Sequence, residues 1–301
     1  MYSLKLLLKI FGAVFTAVAV WLGTVGRADP EHWGANRQEP AGNILTVSIL
    51  DVGHGDATLL QYAGKNILID TGDSRQRTAL VRQLEERGVK RIETMILTHH
   101  DADHIGNAVF AAGKYGVSRI LDNGLINERN SSSRKLSSML NQGYKNKKLR
   151  AGDMLEVGDN VKLEVLSPGD FLPQETRNDH NNNSIVLRLR YGNFSMLFCG
   201  DIEAPAEAAL AARYGPALKA DVLKVAHHGS KSSSYYKFIE AVRPRYALIS
   251  CGAFEEYRHP NKKVVSSLEH LGAEVLTTHS SGALVVISDG KTYQVKEQNK
   301  P

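Results

Sequence analysis

His99, Asp101, Asp103 and His104 stand within six consecutive residues. Imidazole nitrogen and carboxylate oxygen are the ligands that borderline and hard divalent cations take. The apolar run Thr94-Met95-Ile96-Leu97-Thr98 precedes them and reads as a buried strand, so the four groups would leave its C-terminal end on a polar loop. Solvated turns use the same residue types. Further clusters are therefore needed to tell a turn from a metal site, and the chain has them. Asp201 follows Phe198-Cys199-Gly200, and His227 and His228 open His-His-Gly-Ser after an apolar run over 222–225. Asp51 and Asp56 flank Gly53-His54-Gly55, and Asp70 begins Asp-Thr-Gly-Asp after a third run over 66–69. One such residue after a strand is ordinarily a cap; five junctions of this kind in one chain point to a shared cleft. A divalent cation held there would lower the pKa of a bound water, so the chemistry these residues suggest is metal-assisted hydrolysis.

The elements that must position these groups follow from the pattern of apolar runs and breakers. Strands are expected over 44–50, 57–62, 66–69, 94–98, 161–166, 184–190, 194–199, 222–225, 246–250, 274–278 and 283–288. Helices are expected over 74–87, 107–112, 203–214, 235–241 and 262–271. Strand pairs alternating with helices predict an α/β fold of two halves, two mixed sheets packed together with helices outside. The site would lie between the loop ends of the halves. Residues 123–150 are polar and carry Arg129, Arg134, Lys135, Lys145, Lys147, Lys148 and Arg150. They read either as a solvated helix and hairpin or as an edge that tracks phosphates.

Hydrophobic content of 42% and charged content of 23% are those of a globular protein rather than a disordered chain. Residues 1–28 resemble a signal peptide: Lys5 and Lys9 precede a stretch of apolar and small residues, and Gly26-Arg27-Ala28 has the small-x-small form of a cleavage site. The alternative is an uncleaved N-terminal anchor, since 6–26 is nearly long enough to span a bilayer. Both readings place the body outside the cytoplasm, secreted or periplasmic, with a membrane as partner only if the segment is kept. The segment holds Lys5, Lys9 and Arg27 and no acid, so the net charge of +5 falls to +2 without it. Overall charge is thus weak evidence for a polyanion partner, and no series of apolar spans supports a channel. Residues 29–43 read as a linker and 44–296 as the catalytic domain. Cys199 and Cys251 sit at the ends of apolar runs and read as buried thiols, with a disulfide as the alternative.

Taken together, Leu50-Asp51-Val52-Gly53-His54-Gly55-Asp56-Ala57, Ile69-Asp70-Thr71-Gly72, the 98–106 loop, Asn182-Asn183-Ser184, Gly200-Asp201 and 224–230 resemble the metallo-β-lactamase fold superfamily. Within it they are most similar to the nuclease-type domain of ComEC competence proteins. The resemblance implies a four-layer αββα sandwich and two metals. His99 and Asp101 would serve the first, with Asp101 standing where the superfamily usually has His. Asp103 and His104 would serve the second, Asp201 would bridge, and His227 or His228 would complete the second, with His227 favoured as the first residue past its strand. Asp103, His104 and Asp201 would be the catalytic core. Asn182, Asn183 and Ser184 replace the usual third-motif His, which makes the first position richer in oxygen and favours Mn²⁺ or Zn²⁺, with Mg²⁺ also admitted. Asp51, Asp56 and Asp70 would orient ligands or hold loops, and Ser230, Lys231 and His259 would meet substrate. His54 stands where such domains usually have Gln.

The function expected is a secreted metal-dependent phosphodiesterase acting on nucleic acid, with DNA first and no stable protein partner. The alternatives are a small-molecule ester, lactone or phosphoester hydrolase of the same fold, and a binding module without catalysis.

Overall fold

The computed structural model describes residues 44–169, 179–253 and 258–298. The expected leader 1–28 and linker 29–43 lie outside the described residues. Among the described residues, no helix is long and apolar enough to cross a membrane.

The first half of the chain supplies six strands: β1 (Leu45–Ile49), β2 (Thr58–Tyr62), β3 (Lys65–Ile69), β4 (Thr94–Leu97), β5 (Arg119–Asp122) and β6 (Asn146–Lys148). The second sheet is β7 (Met154–Glu156), β8 (Val161–Ser167), β9 (Val186–Tyr191), β10 (Phe194–Phe198), β11 (Val222–Lys224), β12 (Tyr246–Ile249) and β13 (Glu274–Thr277). The chain then returns to the first sheet with β14 (Ala283–Ser288) and β15 (Tyr293–Gln298), giving the orders β15-β14-β1-β2-β3-β4-β5-β6 and β13-β12-β11-β10-β9-β8-β7. Both sheets are mixed, as expected: β3 to β6 run parallel, as do β10 to β13, and the remaining pairs are antiparallel.

Side-chain alternation along the strands builds the layers. Val47, Ile49, Ile67, Ile69 and Ile96 of the first sheet meet Val165, Leu187, Leu189, Met196, Phe198 and Leu248 of the second in a buried core between the sheets. The intervening residues face outward. Leu59, Leu68, Met95 and Leu97 pack under α1 (Arg77–Glu86), α2 (Ala102–Ile105), α3 (Ala108–Lys114) and α4 (Ser131–Asn141) through Leu80, Leu84, Ile105, Ala108 and Leu136. A short helix α5 (Asp179–Asn182) precedes β9. Val186, Leu197, Leu223, Ala247 and Ile249 pack under α6 (Ala204–Tyr214), α7 (Tyr236–Val242) and α8 (Lys262–His270). Helix, sheet, sheet, helix is the expected four-layer sandwich. Hydrophobic faces on both sides of each sheet leave only the strand ends for polar chemistry.

Strand direction decides which end. Two antiparallel steps separate β1 from β3, so β1, β3, β4 and β5 all point one way. The loops after β1, β3 and β4 therefore open on a single edge. They are tied to the corresponding loops of the second sheet: Ile185 donates from its backbone N–H to the Thr98 carbonyl at 2.9 Å, and the Ser250 hydroxyl donates to the Gly55 carbonyl at 2.7 Å. The close approach needs glycine. Gly55 has φ +121°, and a Cβ there would sit 2.3 Å from the Asp103 carbonyl oxygen. Cys199 and Cys251 are buried free thiols.

Candidate metal centre

Buried residues at the ends of β3 and β4 fix the first ligands. Asp70, with a left-handed φ of 56°, ends the β3 run and accepts from the Thr98 backbone N–H at 2.8 Å and its hydroxyl at 2.7 Å. The same carboxylate accepts from His104 Nδ1 at 2.9 Å. With Nδ1–H committed to Asp70, His104 presents its Nε2 lone pair to the cleft. The Thr98 hydroxyl, which donates to Asp70, accepts from His99 Nδ1 at 3.1 Å, and so His99 also presents Nε2.

The second sheet contributes in the same way. Asp201 follows β10 and its backbone N–H donates to the Ser184 hydroxyl at 3.1 Å. After β11 the chain turns through two consecutive left-handed residues, His227 (φ 49°, ψ 48°) and His228 (φ 52°, ψ 23°). Such conformations cost on the order of 1 kcal/mol or more apiece for a residue with a Cβ and persist where surrounding structure enforces them. Their effect is to swing His228 inward. Its Nδ1 donates to the Ser250 carbonyl at 2.9 Å, which again leaves Nε2 for the cleft.

Asp103, His104, Asp201 and His228 converge with ligand atoms all within 4.8 Å of one another. His104 Nε2 lies 3.2 Å from Asp201 Oδ1, and His228 Nε2 lies 3.3 Å from Asp103 Oδ2 and 3.5 Å from Asp201 Oδ2. Ligands bonded at about 2.0–2.1 Å in a tetrahedron stand roughly 3.3 Å apart, so the spacing suits a cation at the centre. His99 Nε2, His104 Nε2, His228 Nε2 and Asp201 Oδ1 are buried and have no hydrogen-bond partner. Buried polar atoms are normally paired, and a cation in the cluster would satisfy His104 Nε2, His228 Nε2 and Asp201 Oδ1; the donor set fits a divalent metal. His99 Nε2 stands 3.7 Å from Asp101 Oδ2, a separate pair one step along the same loop.

Charge agrees with geometry. Burial opposes charging His104, yet Asp201 and Asp70 outweigh it and hold its pKa well above the usual imidazole range. His228 is raised against burial by Asp201 and Asp56. Asp103 and Asp201 are held low against burial, Asp103 chiefly by its contact with His228 and Asp201 chiefly by His104. A cluster that draws protons onto its imidazoles draws divalent cations by the same field.

Other expected residues fall at varying distances from this centre. His227, favoured from the sequence, stands 3.8 Å from Asp201 Oδ2 and turns Nδ1 to Glu203 Oε1 at 3.3 Å, while His228 occupies the converging position. The left-handed turn reverses the order that a simple strand exit suggested. Asp56 lies beneath the cluster, paired with the buried Lys224. Asp51 forms a turn, accepting from the Gly53 N–H at 3.3 Å. Asn182 accepts from the Glu203 N–H at 3.1 Å, the Asn183 carbonyl accepts from Asn123, and Ser184 holds Asp201. Ser230 bonds Ser232, and Lys231 is exposed. His259 lies near the mouth, its ring centroid 5.8 Å from His227, edge-on, and 5.7 Å from His54, tilted.

Two further histidines and part of the polar interlude reach the site. His54 Nε2 approaches Asp103 Oδ2 at 3.7 Å. Burial, with the charge of His228, pushes His54 down to about 3 and His259 to about 4, so both imidazoles are neutral at neutral pH. The polar interlude also reaches inward. Asn127 donates to Asp101 Oδ1 at 2.9 Å, and Asn130 donates to the His100 carbonyl at 2.8 Å. His100 is buried with Nε2 on Asp122 and Nδ1 on Ser133, each at 3.1 Å. The segment is a brace for the 99–104 loop as well as a surface.

Comparison with known proteins completes the picture. The chain is 32% identical over 257 residues to ComE operon protein 3 of Bacillus subtilis (strain 168), a match covering 79% of this chain and 32% of that protein. It is 32% identical over 244 residues to Competence protein ComA of Neisseria gonorrhoeae, covering 80% of this chain and 32% of that one. The chain thus spans about a third of the length of these curated relatives. Among solved structures, the metallo-beta-lactamase fold protein YhfI from Bacillus subtilis superposes with a TM-score of 0.51 at 13% identity, over 80% of this chain and 99% of that one. The family model of the metallo-beta-lactamase superfamily matches residues 50–253, a span that runs from the β1 loop past the His228 turn and includes every group of the converging cluster. With that model covering two thirds of the chain and the two-sheet fold in agreement, the chain belongs to the metallo-beta-lactamase superfamily.

Proposed function

We propose that this protein is an extracytoplasmic, metal-dependent phosphodiesterase that cleaves nucleic acid, with DNA as its first substrate. The observation that carries the reading is the convergence of Asp103, His104, Asp201 and His228, where His104 Nε2, His228 Nε2 and Asp201 Oδ1 are buried without a hydrogen-bond partner. Kinship with proteins named for competence supports nucleic acid over a small ester. Exposed Arg129, Arg134, Lys135, Lys145 and Lys148 supply cations that a phosphate backbone would meet.

His99, Asp101 and Asp201 would hold one divalent ion, and Asp103, His104, Asp201 and His228 the other. When bound, such a pair supplies Lewis acidity and an activated water. The chain's own residues do the remaining work. Asp70 and the Ser250 carbonyl hold Nδ1–H of His104 and His228, so that each ring turns Nε2 to the cleft, where a bound metal would take the place of its proton. The neutral rings of His54 and His259 at the mouth can donate to phosphoryl oxygens without adding a competing charge. Glu203 holds His227 Nδ1, which aims the other ring nitrogen at the Asp201 side of the cleft.

The test is degradation of plasmid and single-stranded DNA by the purified protein with Mn²⁺, Zn²⁺, Mg²⁺ or EDTA, beside nitrocefin and lactones. Metal-dependent DNA cleavage that EDTA abolishes is expected. Asp103→Ala with His104→Ala should lower it by at least 10³-fold, on the order of 4 kcal/mol of barrier. Turnover of a lactone or nitrocefin with no DNA cleavage would move the assignment to small-molecule hydrolysis.

A further inference from the structure

Beneath the ligand cluster lies a second, different positive charge. Lys224 ends β11, and its ammonium contacts Asp56 Oδ2 with both side chains nearly fully buried, 3% and 6% exposed. The other Asp56 oxygen stands 3.7 Å from His228 Nδ1 and has no hydrogen-bond partner. Asp56, Asp70 and His104 bring ligand atoms within 4.8 Å of one another, forming a second grouping that shares His104 with the first. The cleft therefore contains a continuous chain of carboxylates and imidazoles longer than the outer cluster alone. Carboxylates of Asp56, Asp201 and Asp70 all act on the Lys224 ammonium. A buried lysine is costly to desolvate and is retained only with such compensation.

Formal charge makes the arrangement intelligible. With neutral imidazoles, Asp56, Asp70, Asp101, Asp103 and Asp201 present five negative charges, which two divalent ions and one ammonium would neutralise. We propose that Lys224 is a resident cation of the site: its ammonium fills the Asp56 end of the carboxylate–imidazole chain and confines divalent ions to the outer cluster. The inference rests on the metal-site reading above and deepens it. Lys224 acts through Asp56 and is a positioning residue that sets how many divalent ions the cleft accepts. An ion pair that only held the fold would leave that number alone.

The experiment counts ions in the full chain. Wild type, Lys224→Met and Lys224→Met/Asp56→Asn are equilibrated with Mn²⁺, dialysed and assayed by mass spectrometry of the metal. Lys224→Met leaves a buried carboxylate without its partner, and the expected result is one more Mn²⁺ per chain than wild type. The double variant removes both charges and should return to the wild-type number. Equal ion numbers in Lys224→Met and wild type would overturn the inference. Wild type that binds no divalent ion at all would instead overturn the metal-site reading, and the inference with it. If Lys224→Met does not fold, Asp56→Asn serves: it leaves the ammonium uncompensated, and Mn²⁺ affinity should fall at least tenfold at an unchanged ion number. Unchanged affinity in that variant would count against Lys224 as a charge of the site.

Discussion

Asn127 shows how much a single amide can govern at the residue scale. Its side chain donates to Asp101 Oδ1, and its backbone N–H donates to the Ser133 hydroxyl at 2.9 Å, which in turn meets His100. Asp101 is a third exposed and makes no other hydrogen bond to a neighbouring loop among the described residues, so the amide fixes where its free oxygen points. Partners of metal ligands commonly change affinity or activity by 10–100-fold. Asn127→Leu, similar in volume but without a donor, should weaken Mn²⁺ at the His99–Asp101 pair by that factor while the outer cluster binds as before. Two-phase calorimetric titration with Mn²⁺ reads the difference; uniform weakening of both phases would argue against a local role. The candidate ligand types and their loop were legible in the sequence, because His and Asp cluster after strands. Asn127 was not, since nothing in a polar stretch distinguishes an amide facing a carboxylate from one facing water. The choice between His227 and His228 was hidden for another reason. It depends on two left-handed backbone conformations that neither histidine announces.

Elements differ in how plainly their sequences declare them. Strands such as β1, β10 and β12 are short, largely buried segments dominated by apolar residues, and they were readable at once. β5 follows a helix closely, β6 is wholly exposed, and β15 alternates between half-buried and exposed, so hydrophobic periodicity carries little signal for them. α6 conceals a polar device of its own. Glu207 is 1% exposed and accepts from the Ser234 and Tyr235 backbone N–H groups at 2.9 and 2.6 Å, tying α6 to the entry of α7. Burial raises its pKa to about 7 despite those donors, with Glu203 adding to the rise. The unfolded chain ionises this group from about pH 4.5, whereas the folded chain keeps it protonated up to about 7. Its contribution is therefore full below pH 4.5 and declines as pH rises to 7, by on the order of 3 kcal/mol. Urea denaturation of wild type and Glu207→Gln across this range should show the variant gaining on wild type between pH 4.5 and 7, and a constant difference above it. A gap that does not change with pH would mean that Glu207 ionises normally in the fold.

The whole molecule brings two sheets together, and their strand-end loops meet at the metal centre. The core between the sheets is apolar and continuous, so the fold class followed from the alternation of strands and helices. The site needed the tertiary structure, because its ligands come from loops more than 100 residues apart in sequence, Asp103 and His228 among them. Ions cross-linking these loops would bind the folded chain and not the unfolded one. At a free concentration 1,000 times Kd, one ion adds about 4 kcal/mol, which for a chain of this size is a rise of about 6 °C in Tm. Calorimetry in Mn²⁺ and then in EDTA should show that difference, and it should vanish in Asp103→Ala with His104→Ala. An equal Tm in both solutions would mean that the loops are held by protein contacts alone. The opposite flank of the first sheet has its own consequence. β6 is the last strand of its order, exposed at every residue, and ends in Lys147 and Lys148. An unpaired strand is a template on which another chain can add, and lysines on such an edge oppose that addition by charge and by hydration. The same two lysines thus stand against growth of the sheet into an intermolecular one.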